Sequence, residues 1–303
     1  MHIAILSRNK SLYSMRRLRQ EAKNAAIRCD VINPLSCQLL ITPHAKQTTG
    51  VLVGNTLLKA YDAIVPRIGT SITDYGLAVV KHFELQDLVI VNHSQAIAQS
   101  RNKMLCLQKL SQAGLLVPAT VLTRSNRGLK TAVECVQGLP VVLKVLQGTQ
   151  GIGVMLVNTP ISVGSVLDTL RTLNQDVLIQ QFIAEGQARD FRVFVVGKQV
   201  IAAMMRTAAR GEFRSNIHRG AEGKIVQLPL GHETLAIRAT QVLGLEIAGV
   251  DIMESRQGPM VIEVNSSPGF EGIEKATGIN VAQKIIHHIQ ELVKQKKRKS
   301  RRR

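Results

Sequence analysis

Tryptophan is missing from this sequence, and aromatic residues of any kind make up 3% of it. So few flat rings exclude a surface built mainly on base stacking. Cysteine is scarce and scattered: Cys29, Cys37, Cys106 and Cys135 form no CxxC pair and no metal-finger spacing. They are expected to be reduced thiols. Long apolar runs are absent too. Nothing approaches the roughly 18 consecutive apolar residues of a spanning helix. The opening MHIAILSRNK holds only a short apolar run, Ile3 to Leu6, with no cleavage pattern after it. The expectation is a soluble, cytoplasmic protein without a membrane partner. No G-x-x-x-x-G-K-[ST] string occurs and no GxGxxG follows the first strand, so neither a Walker loop nor a dinucleotide fold is indicated. No Ser/His/Asp or Cys/His set declares itself, which argues against a covalent protein nucleophile.

What is present is charge of one sign and enough apolar residues for a core. The 303 residues are 45% hydrophobic, which is consistent with two or three compact units. Lys and Arg total 39 against 21 acids, a net charge of +18. That field favours anionic partners without choosing among them. Part of it is a tail, Lys294 to Arg303, with eight basic residues in ten. With no apolar residue to pack, the tail is expected to be disordered. It is either a solubilising extension or a contact with RNA or another polyanion.

Along the first hundred residues strand and helix signals alternate. Strands are expected at Ile3 to Leu6, Val31 to Asn33, Ala63 to Pro66 and Leu88 to Val91, and helices at Ser11 to Ala26 and Ile72 to Glu84. This is a small parallel α/β layer. Ser100 then reads as the N-cap of a helix through Gln112. Short strands follow at 119–123, 141–146, 154–157 and 177–183, with a helix at 162–173. A third segment holds a hairpin (Phe191 to Val196, Gln199 to Met205), a helix at 233–243, two strands (Glu246 to Met253, Met260 to Val264) and a last helix. That helix, 281–293, has Val281, Ile285, Ile289 and Leu292 on one face.

Four constellations can carry chemistry. Lys144 lies in a strand that runs into the glycines of Gly148, Gly151 and Gly153. Such a loop lets backbone N–H groups approach a phosphate chain, with the lysine adding a point charge; it is equally the makeup of a tight turn. Asp251, Glu263 and Asn265 form the second. Glu263 and Asn265 share a strand face, and a hairpin centred on Gln257 sets Asp251 opposite Glu263. Paired carboxylates repel unless a cation or proton sits between them. Hard oxygen donors without His or Cys point to Mg²⁺ or Mn²⁺. The third runs from Arg206 through Arg210, Arg214, Ser215, Asn216, His218, Arg219 and Gly220, a loop folded over anions or a solvated charged face. The fourth, Val177 to Asp190, could be a hinge with an adenine edge and a ribose acceptor, or only a strand end with a surface acid.

These strings resemble the RimK-type α-L-glutamate ligases of the ATP-grasp class. The resemblance rests on PLSC (34–37), VPRIGT (65–70), RNK (101–103), VLKVLQGTQGIGV (142–154), FRSNIHRG (213–220), AGVDI (248–252), EVNSSPGFEGIE (263–274) and TGIN (277–280). It runs from the first residue to about Glu291 and leaves out the tail. It implies an α/β (α+β) protein. An N-terminal parallel α/β pre-ATP-grasp domain (1–99) precedes two α+β subdomains, a central one with the glycine loop (100–184) and a C-terminal one with the metal ligands (185–293). It also implies that Lys103 and Lys144 contact the phosphates of ATP, that Gln181 and Phe182 sit at the adenine hinge, and that Asp190 faces the ribose. Arg214, Ser215 and Asn216 would bind nucleotide. Asp251, Glu263 and Asn265 would hold two Mg²⁺ or Mn²⁺ ions. Arg206, Arg214 and Arg219 would serve catalysis, and Arg67, His218 and Arg219 substrate. Position 181 is usually Glu in such relatives.

The activity so implied joins L-glutamate to the C-terminal carboxylate of a small-subunit ribosomal protein through an acyl phosphate. The tail would reach ribosomal RNA, and the enzyme would form a homo-oligomer. A related ligase acting on a small-molecule carboxylate and a non-catalytic RNA-binding protein are the alternatives.

Overall fold

The computed structural model describes residues 1–41, 49–58, 61–146, 153–215 and 220–302. In chain order the first unit holds β1 (His2–Leu6), α1 (Tyr13–Asn24), β2 (Arg28–Ile32), β3 (Cys37–Ile41), β4 (Thr49–Val53), β5 (Thr56–Leu57), β6 (Ala63–Pro66), α2 (Thr73–Glu84) and β7 (Val89–Ile90). Two short helices follow, α3 (Ser94–Arg101) and α4 (Lys103–Gln112). Next come β8 (Thr120–Thr123), α5 (Leu129–Cys135), β9 (Val141–Val145), β10 (Val154–Val157), α6 (Pro160–Thr172) and β11 (Val177–Gln181). The rest is β12 (Arg189–Val196), β13 (Gln199–Thr207), β14 (Glu222–Ile225), α7 (His232–Val242), β15 (Ile247–Ser255), β16 (Gly258–Asn265), α8 (Glu271–Thr277) and α9 (Val281–Arg301).

Four sheets result. β2-β1-β6-β7 is parallel, as strands joined by helical crossovers must be. β10-β9-β11-β8 and β14-β13-β12-β15-β16 are antiparallel, and β3-β4-β5 forms a small outer sheet. Ile3, Ala4, Ile5 and Leu6 are all buried, the continuous apolar run of a strand covered on both faces. One large core joins the parallel sheet to the five-stranded one: Met15 and Leu18 of α1 meet Phe194 and Met204 of the hairpin and Ile285, Ile286 and Ile289 of α9. Each such side chain contributes roughly 1.5–3 kcal/mol on burial.

A single side chain pins this joint. Asn92 is 2% exposed. Its Nδ2 donates to the carbonyls of Ile247 and Ser266 at 2.8 Å each, and its Oδ1 accepts from the N–H groups of Glu246 (2.7 Å) and Ile247 (2.9 Å).

Three expectations change. Ser100 caps no helix: it lies buried in α3, its Oγ bonding to the Ile97 carbonyl at 3.2 Å. The chain breaks helical geometry at Asn102, whose Oδ1 accepts from Leu105 N–H at 3.0 Å and starts α4. Asn is as good an N-cap as Ser, and its extended backbone here leaves the N–H groups of the next turn to be satisfied. The basic tail is not disordered. It continues α9 through Arg301. Lys, Arg and Gln are good helix formers, the packed first half supplies the nucleus, and cations at a helix C-terminus meet its negative pole. Finally, β3–β5, α3, α5, β14 and α8 go beyond the elements expected from the sequence; they are short and carry few repeats of either period. Among the described residues no helix is long and apolar enough to cross a membrane.

Candidate active site

Between the β10-β9-β11-β8 sheet and the five-stranded sheet lies a cleft of about 140 Å³. Its lining combines apolar side chains (Val142, Leu178, Phe182, Ile183, Met253 and Ile262) with charged ones (Lys103, Lys144, Arg214, and a floor of Asp190, Arg206, Asp251 and Glu263 on the five-stranded sheet). Apolar walls interleaved with charged groups suit a flat heterocycle carrying an anionic chain.

The floor comes from strand register. On β15 and β16 Asp251 pairs with Glu263. The turn is a two-residue one, Arg256–Gln257, and a bulge between Asp251 and Ile252 restores the pairing that a turn centred on Gln257 would give. On β12, Asp190 and Arg192 alternate on one face. Asp190 faces Arg206 of β13 and Arg192 faces Asp251 of β15.

These four side chains form a buried chain of charge. Arg206 donates to both oxygens of Asp190 (2.6 and 2.5 Å), and its Nη2 lies 3.0 Å from Asp251 Oδ2. Arg192 grips Asp251 from the other side, with Nη2 at 2.8 Å from Oδ2 and Nε on Oδ1. Ser215 Oγ donates to Asp190 at 2.6 Å. Burial alone would raise Asp251, but the two guanidinium groups outweigh it and hold its carboxyl below the usual range. For Asp190 burial prevails and the shift is upward. Burial would lower Arg206; Asp251 and Asp190 more than offset it and raise it.

Arg192 was missed by sequence reasoning. The available signal was its position two residues after Asp190 on one strand. Its arrival also corrects the electrostatic argument for the metal. Asp251 does not need a cation, because two arginines already offset its charge. Glu263 differs: it is exposed to the cleft, and among the described residues no hydrogen bond or arginine engages it. Beside it, Asn265 Nδ2 is buried without a partner. A rotated amide presents Oδ1 at that place. An exposed carboxylate, an orphaned amide and a carboxylate with a spare lone pair are hard donors that fit a divalent cation.

The lysines stand opposite. Lys144 is on β9 with Val154 as its register partner, and burial brings it down to about 8 against a smaller upward pull from Glu263. Burial likewise lowers Lys103, whose Nζ donates to the Leu146 carbonyl at 3.1 Å. Gly153 closes the glycine loop at φ +72°, and a Cβ there would lie 2.3 Å from Val145 Cγ2. Gly148 and Gly151 lie outside the described residues, as do Asn216, His218 and Arg219.

In the cleft wall Gln181 is tied by backbone and side chain. Its N–H donates to the Ala119 carbonyl (2.9 Å), its Oε1 accepts from Ala119 N–H (3.2 Å) and its Nε2 donates to Gln137 Oε1 (2.7 Å). Arg214 pairs with Glu212 (Nη2–Oε2 2.6 Å) and donates to the Val154 carbonyl at 3.1 Å, bridging the two sheets across the cleft. Arg67 does not line the cleft. It donates to the Pro268 carbonyl at 2.7 Å and lies over the Phe270 ring at 5.7 Å, behind the turn that follows Asn265. Its burial lowers it to about 10.

Comparison with known proteins places this geometry. Residues 1–97 match the family profile described as the RimK PreATP-grasp domain, and residues 100–289 match the RimK-like ATP-grasp domain. A probable alpha-L-glutamate ligase of Picosynechococcus sp. is 46% identical over 290 residues, covering 96% of this chain and 95% of its own. One from Syntrophotalea carbinolica is 46% identical over 301 residues, covering 99% of each. Among solved structures, the ATP-grasp ligase PsnB complexed with minimal precursor, Mg and ADP superposes with a TM-score of 0.74 at 16% identity, over 96% of this chain and 97% of the other. A RimK domain protein ATP-grasp from Sphaerobacter thermophilus gives 0.70 at 22% identity, over 96% and 100%.

Proposed function

Since the chain belongs to the RimK-like ATP-grasp family, an ATP-dependent ligase fold behind its pre-ATP-grasp domain, we propose that it adds L-glutamate to a peptide C-terminus, that of a small-subunit ribosomal protein. What supports the reading is the cleft that sets Lys103 and Lys144 against Glu263 and Asp251, among apolar side chains such as Val142, Leu178 and Ile262. Relatives bearing the name alpha-L-glutamate ligase match over nearly the whole chain.

The chemistry runs in two steps. A carboxylate oxygen of the acceptor attacks the γ-phosphorus of ATP, and ADP leaves. The α-amine of glutamate attacks the resulting acyl phosphate, loses a proton, and phosphate leaves. Neither step needs a protein nucleophile. Lys103 and Lys144 hold the phosphate chain, and the backbone of Gln181 and Phe182 receives the adenine. Asp190, held by Arg206 and Ser215, faces the ribose. Asp251, Glu263 and Asn265 would hold Mg²⁺, or Mn²⁺, at two positions; bound there, it offsets phosphate charge. Arg206, Arg214 and Arg219 stabilise developing negative charge, while Arg67 braces the turn after Asn265 and His218 and Arg219 meet substrate.

The partners in this reading are L-glutamate, the ribosomal acceptor, ribosomal RNA at the basic end of α9, and further copies of the chain. Exposed Leu40, Ile41 and Leu57 on the outer sheet support the last. The test is incubation with ATP, Mg²⁺, glutamate and peptides copying ribosomal-protein C-termini, followed by mass spectrometry. Glutamate-sized increments with stoichiometric ADP bear it out. ADP release only with a small-molecule carboxylate moves the assignment to that acceptor, and no ADP with any acceptor ends it.

A further inference from the structure

We infer that the outer face of α1, the start of β2 and the C-terminal end of α9 form one phosphate-binding surface that docks structured RNA. The inference deepens the ribosome-linked reading above by naming a site, yet it does not depend on the ligase chemistry.

The first observation is a concavity of about 610 Å³ lined by Arg16, Arg19, Gln20, Lys23, Arg28 and Cys29. Arg16, Arg19 and Lys23 follow helical spacing and share the exposed face of α1, while Met15, Leu18 and Ala22 are buried on the other. No acid lines the hollow, and among the described residues none of the four cations is ion-paired. The nearby acids are engaged elsewhere: Glu21 by Arg17 at 3.2 Å, Asp30 by His2 at 2.8 Å. Four unneutralised cations around one hollow repel each other, and an anionic ligand removes that cost.

The second observation is independent. The basic end of α9 is held against the domain instead of trailing from it. Lys296 reaches Asp87 Oδ1 at 2.8 Å and Lys297 reaches Asp62 Oδ1 at 2.7 Å. With these two used as anchors, Arg298, Lys299, Arg301 and Arg302 remain exposed without an ion pair among the described residues. Asp62 immediately precedes β6, and Arg28 opens β2; β1 alone lies between those strands. Their starts are therefore two strand spacings apart, about 10 Å. The hollow and the helix end lie at the same end of the parallel strands, the N-terminal one, with Asp87 one strand farther on, before β7. α9 is about 32 Å long at 1.5 Å per residue, so its charges are fixed along a rigid rod.

The ligand follows from the chemistry of the surface. Fixed guanidinium and ammonium groups spread over a broad surface match a run of phosphates better than one carboxylate. Without aromatics among these residues, bases are not stacked, so the contact is to backbone. No apolar residue stands between Lys294 and Arg302, which leaves nothing to insert into a bilayer. None of these residues lines the ligase cleft.

The test uses the full chain, a fluorescently labelled RNA hairpin and anisotropy across a salt series. Two sets are replaced: Arg16→Gln, Arg19→Gln, Lys23→Gln and Arg28→Gln, and separately Arg298→Gln, Lys299→Gln, Arg301→Gln and Arg302→Gln. Each should weaken binding about tenfold or more and flatten the slope of log K against log salt by about three, since each phosphate released contributes about 0.7–0.9. Arg→Lys and Lys→Arg versions of both sets should bind as the parent does, which separates charge loss from misfolding. Unchanged RNA binding by the α1 set overturns the composite surface. A polyglutamate peptide that displaces the RNA at equal charge concentration also overturns it, making this an acidic-protein site. ADP release with ATP, Mg²⁺, glutamate and a free peptide is measured in parallel. A parent that binds RNA yet shows no turnover sinks the ligase reading and leaves this one standing.

Discussion

Glu263 stands across from Asp251 and two residues before Asn265, yet the three are in different electrostatic positions. Arg192 and Arg206 offset Asp251, whereas Glu263 opens into the cleft without such a partner among the described residues. The substitution Glu263→Gln should therefore lower kcat on the order of 10²–10³-fold. Because the side chain is exposed, Tm should hardly move; full activity in this variant would remove the metal assignment. Lys144 makes a second prediction at this scale. Burial brings it down to about 8. Only its protonated form attracts phosphate, so ADP affinity measured without divalent metal should be level below pH 8 and fall above it. Calorimetry across that range reads the effect, and Lys144→Met should flatten the profile. A profile that rises with pH would contradict the role given to this lysine.

The β9–loop–β10 hairpin depends on one backbone choice. Gly153 has φ +72°, and its missing Cβ leaves room for Val145. Gly153→Ala adds about 1–2 kcal/mol of left-handed backbone strain and a clash with Val145. The expected result is a lower urea midpoint together with weaker ATP binding, because the strand that carries Lys144 is the one displaced. The bulge in the β15–β16 hairpin works at the same scale. It lets a tight two-residue turn coexist with the Asp251–Glu263 pairing, and it turns Ile262 toward the cleft.

Across the whole molecule, the parallel sheet and the five-stranded sheet share one core, and Asn92 joins them with four hydrogen bonds. Asn92→Ala strands two carbonyls and two N–H groups in a dry joint. The expected loss is about 3–5 kcal/mol in denaturant unfolding, and Asn92→Asp, which keeps only the acceptors, should lose part of that. The end of α9 behaves differently. Its anchors to Asp62 and Asp87 are surface ion pairs worth about 0–1 kcal/mol each. Deleting Lys294 to Arg303 should leave Tm and peptide-dependent ADP release nearly unchanged while weakening ribosome association in low salt. Loss of turnover in that truncation would tie the segment to catalysis.

By itself the sequence determined the order of α/β, glycine-loop and metal-strand segments, because period, turn residues and apolar runs are local. A turn centred on Gln257 led to the Asp251–Glu263 pairing, but the actual two-residue turn at Arg256–Gln257 gives that pairing only through the bulge between Asp251 and Ile252. The sequence carried the family through strings that stay contiguous along the chain. Tertiary structure alone decided the rest. Arg192 neutralises Asp251 because β12 happens to lie beside β15, far away in sequence. Arg67 turns from the cleft to the Pro268 carbonyl because the parallel sheet docks against the turn after β16. A tail with no apolar residue is helical because the segment before it is packed and two distant aspartates receive its lysines. Charge and pattern are written along the chain, but which charges neutralise each other depends on neighbours that only folding supplies.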